Sequence, residues 1–123
     1  MSVLKSMQTA FVDLAVLKDV AEDKKIPIEV AEEGQSVERK VYTATCKGAA
    51  AFHLPGWKYP IVVDHEGKIK YDNHEGNWGN LEDLHAVSRS YAETVAVRSM
   101  KKVGFRCSKR VEENNNLVLK FTQ

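Results

Sequence analysis

The sequence predicts an α+β fold, with two helices packed on one face of a mostly antiparallel sheet, ending in a long helix and a C-terminal β-hairpin. Three observations carry that expectation. Apolar residues recur at helical spacing near the start and again between residues 81 and 103. Short runs rich in β-branched and aromatic residues, punctuated by Gly, Pro, Asn and Asp, fill the middle and the end. The length of 123 residues, with 43% hydrophobic and 28% charged content, suits one globular domain. A chain of this size buries roughly two-thirds of its unfolded surface and needs no disulfide or metal to hold a core.

Residues 3–11 are short and mixed, as in an edge strand. Residues 13–24 read as a helix: Val12, Val16 and Val20 are spaced by four, Leu14 and Leu17 widen the apolar face, and Asp13 and Lys24 lie where the helix dipole favours them. Pro27 stops the helix and opens an extended segment over residues 26–31, followed by a polar turn at 32–35. Residues 37–46 form the next strand candidate. Over residues 47–59, Gly48 and three consecutive alanines either continue a strand in which small residues allow close packing or form a loop, and Pro55-Gly56 marks a turn. Ile61-Val62-Val63 is a short apolar strand after Pro60. Asp64-His65-Glu66-Gly67 makes a tight turn, and residues 68–72 return with Ile69 and Tyr71 on one face.

Residues 73–80 are a loop ending at Asn80, a good N-cap with Glu82 and Asp83 in the first turn behind it. Leu81, Leu84, Val87, Tyr91, Val95 and Val103 then form a core stripe of about six turns, and Gly104 stops the helix. Phe105, Cys107 and Val111 alternate with Arg106, Ser108 and Arg110. After a turn at 114–116, Leu117, Leu119 and Phe121 alternate back. The expected order is β-α-β-β-β-β-α-β-β, with Leu84, Val87, Tyr91, Leu117, Leu119 and Phe121 in the core.

A net charge of +1 gives no global attraction to nucleic acid or anionic membrane. No apolar run approaches the roughly 20 residues needed to cross a bilayer, and no secretory leader is expected from the first eleven residues. Cys46 and Cys107, outside any C-x-x-C motif, read as reduced thiols in the cytoplasm or an equivalent reducing space.

Candidate chemistry is sparse. Asp64, His65, Glu66, Asp72, His74 and Glu75 include metal-ligand residue types. A strand between the two groups spans about 16 Å, too far for one ion, and solvated turns explain the residues as well. His53 and His85 stand alone. No H-E-x-x-H, G-x-S-x-G, Walker or dinucleotide pattern occurs, and no catalytic residue, metal or cofactor is implied.

Charge position says more than total charge. Between residues 94 and 111 lie Arg98, Lys101, Lys102, Arg106, Lys109 and Arg110, without an acid. With Arg106 and Arg110 on an outer strand face, this cluster is a candidate nucleic-acid contact, or simply offsets the helix dipole and protects strands. Trp57, Tyr59 and Trp78 fall in or beside loops, where aromatics anchor a partner or cap the open end of a small core.

The stretch Tyr-Ala-Glu-Thr-Val-Ala-Val-Arg-Ser-Met-Lys-Lys-Val-Gly-Phe at residues 91–105, with Val111-Glu112-Glu113 and Leu117-Val118-Leu119-Lys120-Phe121, resembles the hypothetical chloroplast reading frame 35 family (domain of unknown function 1257). In place of that family's Tyr-Asp-Ile-Gly-Phe type strand stands Pro60-Ile61-Val62-Val63-Asp64, as in a divergent, phage-borne branch. The resemblance implies a small α+β fold in a cyanobacterium, a plastid or an infected host, and brings no catalytic residues. The leading functional expectation is therefore a non-enzymatic binding or adaptor protein with an unknown protein partner or a second copy of itself. The alternative is a nucleic-acid-binding accessory protein, and the third reading is a metal-dependent enzyme at Asp64, His65, Asp72 and His74.

Overall fold

The computed structural model describes residues 5–7, 11–113 and 116–123. In chain order the elements are β1 (Lys5–Met7), α1 (Leu14–Asp23), β2 (Ile28–Val30), β3 (Val37–Val41), β4 (Ala44–Gly48), β5 (Ala50–Phe52), β6 (Ile61–Val63), β7 (Ile69–Tyr71), a 3-10 turn (His74–Gly76), α2 (Leu81–Lys102), β8 (Arg106–Glu113) and β9 (Asn116–Thr122). The α+β expectation holds. Five strands form one antiparallel sheet in the order β1-β7-β6-β5-β2, and β3-β4 and β8-β9 are separate two-stranded ribbons.

Alternation along the sheet assigns its two faces. Phe52, Ile61, Val63, Ile69 and Tyr71 point to the side covered by α1 and α2, where they meet Phe11, Leu17, Leu84 and Val87 in the main core. Ala51 and Val62 point the other way and meet Val37, Val41 and Cys46 of the β3-β4 ribbon. All of β6 is therefore buried, which accounts for its unbroken Ile-Val-Val run. The helices do lie on one face. The other face is covered as well, by the β3-β4 ribbon, which the expected two-layer arrangement lacks.

That ribbon corrects the reading of residues 37–46 as one strand. The chain reverses at Tyr42-Thr43, and Val41 pairs directly with Ala44. Residues 47–59, for which the sequence allows either strand or loop, divide into the end of β4, all of β5 and a loop, so six strands rather than four separate the helices. The small residues do allow close packing: at the corner between β4 and β5, a Cβ on Gly48 would stand 2.1 Å from the Val63 carbonyl oxygen.

α2 starts at its expected cap, whereas α1 runs from Leu14 to Asp23, so that Asp13 and Lys24, expected in its first and last turns, are instead its N-cap and C-cap. Asp13 caps α1, its carboxylate accepting the Val16 N–H at 3.2 Å. Asn80 caps α2 in the same way through the Glu82 N–H at 3.0 Å. At the far end Gly104 adopts φ +87°, its N–H donating to the Lys101 carbonyl and that of Phe105 to the Met100 carbonyl, the pattern of a Schellman stop. The stripe is shorter than expected. Val103 is the C-cap and is 64% exposed, and Val12 precedes α1 and is 68% exposed.

β1 is an edge strand, as expected of residues 3–11; residues 3, 4 and 8–10 lie outside the described residues, as do 114 and 115 of the expected hairpin turn. The C-terminal hairpin forms, but it does not extend the main sheet. Leu117, Leu119 and Phe121 are half-buried beside α2 rather than in the core, whereas Leu84, Val87 and Tyr91 are buried.

Candidate functional site

At one end of the β3-β4 ribbon three aromatic rings from separate segments converge. Tyr42 comes from the ribbon turn, Tyr59 from the segment leading into β6, and Trp78 from the loop before α2. Ring centroids are 5.1 Å apart for Tyr42 and Trp78, 5.4 Å for Tyr59 and Trp78, and 6.0 Å for Tyr42 and Tyr59. His74 stacks on Trp78 at 4.6 Å with 23° between the planes. The exposed Lys58 holds its ammonium 4.6 Å from the Trp78 centroid and 5.7 Å from that of Tyr59, a cation–π contact. The Lys58 N–H donates to the Trp78 carbonyl at 2.9 Å, and this ties the two loops together.

Strain concentrates here. Among the described residues, four non-glycine positions have left-handed backbone: Lys25, Tyr42, His74 and Glu75. Lys25 follows the end of α1, an ordinary place for that conformation. The other three, at φ +55°, +46° and +53°, belong to two of the three segments that present the aromatic rings, the ribbon turn of Tyr42 and the loop of Trp78. Such a conformation costs of order 1 kcal/mol for each residue and persists only where the surroundings enforce it. The enforcement is visible in the loop before α2. The buried Asp72 accepts the His74 N–H at 3.0 Å, and the N–H groups of Gly76 and Trp78 both donate to the Asn73 carbonyl.

Of the three aromatic candidates, Tyr59 and Trp78 reach this surface and Trp57 does not. Trp57 is 4% exposed in the main core, edge-on to Tyr71 at 6.2 Å. It is so enclosed that a Cβ on Gly79 would stand 2.2 Å from its ring. It is thus a core residue rather than a partner anchor. Tyr42, 41% exposed, carries no signal of this position in the sequence, because a Tyr-Thr pair contains none of the usual hairpin-turn residues.

The acidic and histidine cluster is occupied with turns. The Asp64 carboxylate accepts the N–H groups of Glu66 and Lys68, each at 2.9 Å, His65 bonds the Ser36 hydroxyl, and Glu66 pairs with Lys68. His53 contacts the Trp57 carbonyl, and His85 pairs with Glu82 on its own helix. Among the described residues no three His, Cys, Asp or Glu side chains group to hold a metal ion. Both cysteines are free; burial raises the Cys46 thiol above its ordinary value and keeps it protonated.

The basic cluster is sorted into two classes. Arg98 pairs with Asp19 of α1 at 2.8 Å. Arg110, expected on the outer face of its strand, turns inward and pairs with Glu93 of α2 and with Glu112. The cause is a β-bulge between Cys107 and Lys109: one extra residue shifts the alternation, so that Arg110 faces α2 and Val111 faces out. Arg89 joins this network, bridging Glu82 and Glu112 at 2.8 and 3.1 Å. The Arg89 hydrogen bond holds the Glu82 carboxyl below its ordinary range, and Glu93 raises the Arg110 guanidinium. Lys101, Lys102 and Arg106 remain exposed, with no ion pair among the described residues.

Among the described residues no helix is long and apolar enough to cross a membrane. No family model, curated protein or solved structure matches the chain.

Proposed function

We propose that this is a small non-enzymatic binding protein whose partner, another protein, is anchored on the surface formed by Tyr42, Tyr59 and Trp78. The observation that carries the reading is the coincidence of strain with partly exposed aromatic rings: among the described residues, three of the four left-handed non-glycine residues lie in the segments that hold Tyr42 and Trp78. Aromatic side chains contribute large contact area at low entropic cost and dominate binding hot spots. Fixing them in place before binding reduces the ordering that association requires.

Two further parts of the proposal rest on sequence. The free cysteines support a reducing compartment such as the cytoplasm, the plastid stroma or an infected host's cytoplasm. Residues 91–105, 111–113 and 117–121 support kinship with the chloroplast reading frame 35 family.

The test is site-specific photo-crosslinking in host cells. A photoreactive phenylalanine analogue replacing Tyr42 is expected to give one dominant protein adduct, and the same analogue replacing Lys47 on the same ribbon is expected to give none. Identical adduct patterns from the two positions refute the reading.

A further inference from the structure

We infer that the outer face of the β8-β9 ribbon, continued by the end of α2, is a binding surface for duplex DNA, with the ribbon in the major groove. Its residues are separate from the aromatic surface, so the two proposals stand or fall independently.

The first observation is the sorting of cations. Arg39, Arg89, Arg98 and Arg110 each pair with a carboxylate. Arg106 is the remaining arginine of the sequence, and among the described residues it has no ion pair. The register places Arg106 on the same face as Lys109 and Lys120, and the exposed Lys101 and Lys102 end the helix that leads into β8.

The second observation is the bulge. By adding a residue at Ser108 it sets Lys109 directly opposite Lys120. Like charges in that relation destabilise a ribbon by roughly 0.2–1 kcal/mol. The same shift turns Arg110 toward the acids of α2. Pairable charge is thus drawn to the inner face, and repelling charge is left on the outer one. An anion between the two ammonium groups relieves that repulsion.

The third observation is shape. Val111 and Val118, 37% and 61% exposed, face each other beyond the lysine pair and form an apolar floor bordered on one side by the two lysines and on the other by the Glu113–Asn116 pair of the register. Phosphates suit the lysine side, and base edges, the thymine methyl above all, suit the apolar floor. The major groove of B-form DNA admits a two-stranded ribbon, whereas the narrow major groove of A-form RNA does not.

The test is fluorescence anisotropy of a labelled duplex of about 20 base pairs across a salt series. The wild type is expected to bind with a log–log salt slope of about −3 to −5, the value for four or five phosphate contacts. Lys109→Gln with Lys120→Gln is expected to weaken binding at least tenfold at low salt and to reduce the slope by about two. The same double variant is expected to match or exceed the thermal stability of the wild type, because a repulsion is removed. Arg98→Ala, which removes an already paired cation, is expected to leave affinity within about twofold. Absence of salt-dependent binding, or a double variant that keeps the wild-type affinity and slope, overturns the proposal. Equal or tighter binding to an RNA duplex, to single strands or to anionic vesicles overturns the assignment to DNA.

Discussion

The backbone N–H of Asp13 donates to the phenolic oxygen of Tyr91 at 2.9 Å, a bond between residues 78 positions apart. It joins the cap of α1 to the middle of α2, and the Tyr91 ring sits edge-on to Phe11 at 5.0 Å in the core beneath. Tyr91→Phe keeps the ring and removes the acceptor. The expected loss is about 1–2 kcal/mol, since the Asp13 N–H is left partly buried without its partner. Urea denaturation is expected to show a lower midpoint with an unchanged slope.

Two glycines separate steric from conformational need. At Gly48 a side chain would meet the backbone of β6, so Gly48→Ala is expected to cost about 3 kcal/mol. At Gly34, φ is +79° with nothing within 4 Å, so Gly34→Ala is expected to cost only about 1 kcal/mol. Equal losses on thermal unfolding would show that the β4-β5 corner relaxes freely.

Strain at the aromatic surface can be released without touching a ring. Glu75 is exposed at φ +53°, a conformation glycine adopts freely. Glu75→Gly is expected to raise stability by about 1 kcal/mol, read as a rise in Tm of several degrees. A decrease would mean that the left-handed turn is held without strain.

Acid is expected to loosen the network between α2 and the hairpin. The Arg89 hydrogen bond lowers the Glu82 carboxyl below its ordinary 4.5, so the stabilisation is present above that value and is lost as pH falls through the lower folded value. Between pH 7 and about pH 3 the wild type is therefore expected to lose more stability than Glu82→Gln, which has no such carboxylate to protonate. Parallel decline of the two urea midpoints would contradict this.

Local signals were legible in the sequence and register was not. The cap at Asn80 and the stop at Gly104 act within one helical turn, so residue identity was enough to place α2, and the spacing of Val16, Leu17 and Val20 placed α1, with Asp13 as its N-cap rather than in its first turn. Tyr42-Thr43 reverses the chain without any turn-forming residue, because the packing of Val37, Val41 and Cys46 on the second sheet face enforces the ribbon. That tertiary cause hid both a hairpin and one of the three rings of the candidate site. The bulge beside Ser108 is equally silent in sequence, yet it exchanges the faces of Arg110 and Val111. Trp57 and Trp78 share a loop-rich setting, and packing in the main core against Tyr71 and Gly79 buries the first while the second stays partly exposed.

The central claim, that Tyr42, Tyr59 and Trp78 anchor a protein partner, is tested most directly by the dissociation constant of the crosslinked partner for the wild type and for Trp78→Ala. Trp78→Ala is expected to weaken binding at least about 30-fold, the loss of a hot-spot residue, while Lys47→Ala stays within about twofold. A Trp78→Ala protein that is folded and binds as tightly as the wild type would contradict it.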